Sequence, residues 1–143
     1  MKPAHFVVFI RALLVVAVGV QASASMRGQD IAVISLFKAA WYEQYSAGEP
    51  TLYPDADDPY DIVAYAYLSE AVLSDPEWWW WISGMTLRTP GGRTEAMEID
   101  YDDGFFDFYA GAVSAGALNL RYAAGSYRFT LSSWITGDSV YNV

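Results

Sequence analysis

The chain has 143 residues, no cysteine and a single histidine, His5, and it is acidic, with 17 Asp and Glu against 8 Lys and Arg. Without cysteine there is neither a disulfide nor a thiol nucleophile, and with His5 alone there is no Ser-His-Asp triad and no ordinary zinc site in the body of the chain. The negative charge repels nucleic-acid phosphate and gains nothing from counterion release, which speaks against DNA or RNA as a partner.

The amino end reads as an export signal. Lys2, His5 and Arg11 give it a positive bias, Ala12 to Val20 is a run of nine apolar residues, and Ala22-Ser-Ala24 places small residues where a signal peptidase reads. Cleavage is expected after Ala24, so that residues 1–24 are a signal peptide and 25–143 a single domain. A spanning helix needs about 20 apolar residues. Arg11 interrupts this stretch, and no later segment is long and apolar enough, so no transmembrane helix is expected after cleavage. The expected location is secreted, periplasmic or at the cell surface.

Loss of the leader takes Lys2 and Arg11 with it, leaving 6 basic against 17 acidic residues and a formal charge of −11 on 119 residues. That length suits one core and is short for two. Phe6 and Phe9 also leave, so 6 Trp, 11 Tyr and 5 Phe remain to do by burial what disulfides do in many small exported domains.

Ser25 to Asp30 is polar and reads as a loose start. Ile31 to Tyr45 fits either a short helix or a strand, and its second half reads better as a strand. Gly48 to Asp61 is a turn-forming stretch with Pro50, Pro54 and Pro59. Ile62 to Leu68 concentrates β-branched and aromatic residues and is expected as a strand, ended by Ser74-Asp-Pro76. Trp78 to Leu87 and Thr94 to Tyr101 flank the turn residues Thr89-Pro-Gly-Gly-Arg93 and predict a hairpin. In its second arm Met97, Ile99 and Tyr101 alternate with Glu98 and Asp100. Asp102-Asp-Gly104 makes another turn before a strand from Phe105 to Tyr109. Ala110 to Tyr122 suits one or two short helical turns, which Gly111 and Gly116 keep short. Gly125 to Leu131 is the best strand, with Tyr127, Phe129 and Leu131 on one face and Ser126, Arg128 and Thr130 on the other. Gly137 to Val143 begins a further strand, as in a chain cut from a longer product. Short strands joined by Gly, Pro and Asp turns predict an all-β fold, an antiparallel β-sandwich with a short helical crossover.

Pro90-Gly-Gly92, Phe105-Phe-Asp-Phe108, Leu118-Asn-Leu120 and Ala124-Gly-Ser-Tyr-Arg-Phe-Thr-Leu131 resemble a segment of uncharacterised exported bacterial β-sandwich proteins of Ig-like type. In those proteins a proline-glycine hairpin precedes a helical crossover and a G-x-Y-x-F-x-L strand. The likeness spans Trp41 to about Trp134, with Gln44 and Asp58-Pro-Tyr60 as early markers. It departs from the group at Ala123-Ala-Gly125, where an xP-x-G sequence often leads the strand. The resemblance implies an extracellular Ig-like module and brings no catalytic residues.

Trp78-Trp-Trp-Trp81 is the most unusual motif. As a strand it would send Trp78 and Trp80 to one face and Trp79 and Trp81 to the other. One pair then enters the core, while the other is covered or forms a flat platform on which sugar rings could stack. Asp55, Asp57, Asp58 and Asp61 supply the hard oxygens that Ca²⁺ takes. They lack the glycine and closing glutamate of the usual calcium loop, so a solvated turn is the plainer expectation. Asp100, Asp102 and Asp103 repeat the pattern. Glu70, Glu77, Glu95 and Glu98 are available for two-carboxylate hydrolysis, and nothing marks a pair among them. The expectation is a non-catalytic exported structural or adhesive module without a cofactor, its partner an extracellular protein or a polysaccharide. A carbohydrate-binding module using the tryptophan run is the second reading.

Overall fold

A computed structural model describes residues 30–43, 51–52 and 57–143. The expected signal peptide, the polar start as far as Gln29, Gln44, Tyr45, Pro50, Pro54 and Asp55 lie outside the described residues. Among the described residues nine strands and three short helices follow in order. They are β1 (Ile31–Ala40), β2 (Tyr42–Glu43), β3 (Thr51–Leu52), β4 (Tyr60–Leu68), α1 (Glu70–Leu73), α2 (Trp78–Trp81), β5 (Ile82–Arg88), β6 (Thr94–Asp100), β7 (Phe105–Ala112), α3 (Ala115–Arg121), β8 (Arg128–Ser133) and β9 (Ser139–Asn142).

The fold is all-β. Seven strands join one antiparallel sheet in the order β1-β4-β7-β6-β5-β8-β9, and β2 pairs with β3 as a separate ribbon. Where the sequence predicts two stacked sheets, seven of the nine described strands hydrogen-bond into a single sheet. The β6–β7 ladder is the link that joins its halves, pairing Glu98 with Asp107, Ile99 with Phe106 and Asp100 with Phe105. A twisted sheet can curl on itself and enclose its own core. Here Ile62, Ala64, Ala66 and Leu68 of β4 meet Phe106 of β7, Met97 of β6, Met85 and Leu87 of β5, and Phe129 and Leu131 of β8 in one cluster. The edge strands approach each other through side chains. Ser139 Oγ donates to Asp30 Oδ2 at 2.8 Å, and burial, chiefly, raises the pKa of the Tyr141 hydroxyl, which also meets the backbone of Asp30 and Ile31.

Of Ile31 to Tyr45, which suits helix or strand by sequence, Ile31 to Ala40 is a strand throughout; the strand expected from Gly125 starts at Arg128, and the alternation at Tyr127, Phe129 and Leu131 is observed, with all three buried and Ser126 and Arg128 exposed. The hairpin is observed too, with Met85 opposite Met97 and Arg88 opposite Thr94. The crossover is α3, whose first turn is capped by Ser114, with Ala117 N donating to Ser114 Oγ at 3.1 Å.

Antiparallel order sorts the connections into two ends. At one lie α1, α2, the β6–β7 turn and the β8–β9 connection; at the other lie the β5–β6 turn and α3.

Candidate functional site at the tryptophan end

The four-tryptophan run corrects the sequence reading: it is a single helical turn, and the strand starts only at Ile82. The cause is local. Asp75 Oδ1 accepts from Glu77 N at 2.9 Å, the backbone N–H of Trp78 reaches Asp75 O at 3.1 Å, and Pro76 suits the second position of that turn, which leads into the helix. The indole N–H groups tighten it, since Trp79 Nε1 donates to Pro76 O at 3.1 Å and Trp81 Nε1 to Asp75 Oδ2 at 3.2 Å.

Helical spacing pairs residues three apart, and strand spacing pairs residues two apart. Trp78 is therefore buried, stacked on Tyr101 with centroids 6.0 Å apart, and Trp81 packs against the core. Trp79 and Trp80 point outward, 53% and 71% exposed. A residue that sequence reasoning passed over joins them. Trp134 N donates to Trp81 O at 2.9 Å, which sets the β8–β9 connection beside α2, and Trp134 and Ile135 are 78% and 72% exposed. Only the β5–β8 pairing, Ile82 opposite Ser133, brings these two distant segments together.

Charge is distributed as unevenly as the aromatic rings. The tryptophan end carries Glu70, Asp75 and Glu77 on its helical segment, Asp100, Asp102 and Asp103 at the β6–β7 turn, and Asp30 and Asp138 beside β9; no Lys or Arg lies there among the described residues. All five described cationic side chains, Lys38, Arg88, Arg93, Arg121 and Arg128, are at the opposite end. Two of them are internally engaged: Lys38 donates to Tyr122 O and, at 2.6 Å, to Asn119, and Arg93 pairs with Glu95. Arg88 and Arg128 face each other directly across the β5–β8 ladder, both exposed. Like charges in register repel.

The remaining sequence candidates are not gathered into a site. Asp61 is wholly buried, its oxygens taken by Trp41 Nε1 and, at 2.7 Å, by Tyr109 OH; Asp57 and Asp58 are exposed. Asp100 Oδ1 accepts from the backbone N–H of Asp102 and Asp103 at 2.9 and 3.1 Å, as a turn residue does. No group of three or more potential metal ligands occurs among the described residues. Of the glutamates, Glu95 accepts from Tyr122 OH at 3.1 Å, Glu70 and Glu77 are exposed at the tryptophan end, and exposed Glu98 sits opposite Asp107. No helix among the described residues is long and apolar enough to cross a membrane. Comparison with protein-family models, with curated proteins and with solved structures found no match.

Proposed function

We propose that this chain is an exported, non-catalytic β module that works by adhesion, with the tryptophan end as its contact surface. One observation carries the reading: Trp79, Trp80, Trp134 and Ile135 come from two separate segments, are joined by the Trp134–Trp81 hydrogen bond, and all remain exposed. The described residues include 21 buried apolar side chains, so the chain has the means to bury such groups, and large apolar side chains left exposed together at one end mark an interaction surface. Export rests on the basic, apolar, small-residue order of residues 1–24. The reading needs neither an Ig-like strand order nor a bound metal.

A second reading, a carbohydrate-binding module, is favoured by the same indoles, since exposed ring faces suit stacking and the Trp79 ring N–H is already bonded within the protein, leaving its face as the surface on offer. The test is a set of single Ala substitutions at Trp79, Trp80 and Trp134. Retention on insoluble polysaccharides and on protein-coated surfaces is measured for each. Loss of attachment to protein supports adhesion, loss of retention on polysaccharide supports the second reading, and wild-type behaviour of all three variants on both surfaces ends the assignment of this site.

A further inference from the structure

The two ends of the molecule are complementary to each other. One presents exposed indoles whose charged neighbours, among the described residues, are all acidic. The other presents Arg88, Arg121 and Arg128, all exposed and none in an ion pair among the described residues, beside exposed apolar Val113 and Leu120, with exposed Asp57 and Asp58 at the entry to β4 as its acidic counterweight. Arg88 and Arg128 stand opposite each other across the ladder, so an anionic group set between them meets two cations at once. Arginine also suits the first end twice over, because a guanidinium stacks on tryptophan faces while its N–H groups bond carboxylates. Leu120, 88% exposed, supplies an apolar counterpart to the tryptophans.

We propose that the tryptophan end of one copy docks on the arginine end of a second copy, a head-to-tail contact. Resting on the adhesive reading above, the contact names the partner of that site as this chain itself. Two different surfaces meet, so each added copy leaves one of each kind free, and the contact builds an open filament unless its rotation closes a ring. In the docked pair Trp80 and Trp134 lie against Leu120 and Arg121, while Asp75, Glu77 and Asp138 face Arg88 and Arg128.

The test is sedimentation of the purified protein over a range of concentration and salt. Wild type is expected to form species larger than a dimer as concentration rises, and to dissociate as salt screens the charges. Two double variants divide the surfaces: Trp80→Ala with Trp134→Ala at one end, and Arg88→Glu with Arg128→Glu at the other. Each alone is expected to sediment as a monomer, its dissociation constant raised at least about tenfold, the scale of one interface anchor lost. Mixed together they have one intact surface each, and a heterodimer of one copy of each, growing no further, is the expected product.

A wild type that stays monomeric throughout overturns the proposal, as does association that persists in either double variant, or a mixture that yields no heterodimer. A monomer that still attaches to a protein or polysaccharide surface through its tryptophans rejects self-assembly and leaves the adhesive site standing. Thermal melts of both variants confirm folding. Should the glutamates impair it, Leu120→Ser with Arg121→Ser is the replacement at that end, with the same expectation.

Discussion

Tyr109 donates its hydroxyl to Asp61 Oδ1 at 2.7 Å, joining the exposed side of β7 to a carboxylate with no exposed surface in β4. Trp41 Nε1 takes the other oxygen. A buried carboxylate is tolerated when its lone pairs are bonded, and removing it strands its donors. Asp61→Ala is expected to cost about 1 to 3 kcal/mol in denaturant unfolding, and Asp61→Asn less, because the amide keeps one acceptor. Equal stability of wild type and Asp61→Ala would show that these bonds contribute nothing net.

The same contact gives a dependence on alkaline pH. Burial of the Tyr109 hydroxyl, then the hydrogen bond to Asp61 and its negative charge, push this pKa up to about 12 from 10. The ring is mostly exposed, and only its hydroxyl end meets the buried carboxylate. The folded state holds the neutral phenol more firmly than the unfolded state does. The stabilisation is therefore complete below about pH 10 and is lost as pH rises toward about 12. Melting temperature is expected to fall over this window, and to fall less in Tyr109→Phe. An ultraviolet difference titration should lose one late-titrating tyrosine in that variant.

Much of this fold is legible in the chain. Tyr127, Phe129 and Leu131 alternate with polar residues and are all buried, because period-two patterning is the physical imprint of a half-buried strand. The hairpin around Pro90-Gly-Gly92 is legible for the same reason, helped by its turn residues. The order of strands is not. Pairing of β1 with β4, and of β5 with β8, depends on contacts between residues far apart in the chain, which no local pattern encodes. The site was half legible. Composition flagged the tryptophan run, but bulky aromatic residues favour strands on average, and a turn-forming Asp75-Pro76 overrode that preference. Trp134 carried no signal at all, since only the β5–β8 register brings it to Trp81.

Gly104 answers for a close approach. Its φ is +67°, its N–H donates to Asp100 O at 2.9 Å, and its carbonyl accepts from Leu68 N at 3.0 Å. An added Cβ would run into the Leu73 methyl groups. Gly104→Ala is expected to cost about 1 to 2 kcal/mol for the left-handed backbone alone, with the clash adding to it. Combined with Leu73→Ala, the clash disappears and the backbone cost remains, so the double variant should lose less than the sum of the two singles. Strict additivity in denaturant unfolding would refute the contact.

Trp78 and Trp80 test the helical turn directly. In a strand these two side chains share a face and would be buried or exposed together. In the turn they part, Trp78 being 8% exposed and stacked on Tyr101, and Trp80 71% exposed. Trp78→Ala is expected to cost about 3 to 5 kcal/mol, the scale for removing a large buried aromatic side chain. Trp80→Ala should stay within about 0.5 kcal/mol of wild type, as an exposed position does. The contrast also separates stability from attachment, because the substitution expected to leave folding alone removes one of the exposed indoles on which binding depends. Comparable losses at both positions in denaturant unfolding would return the run to a strand, and with it Trp80 to the interior.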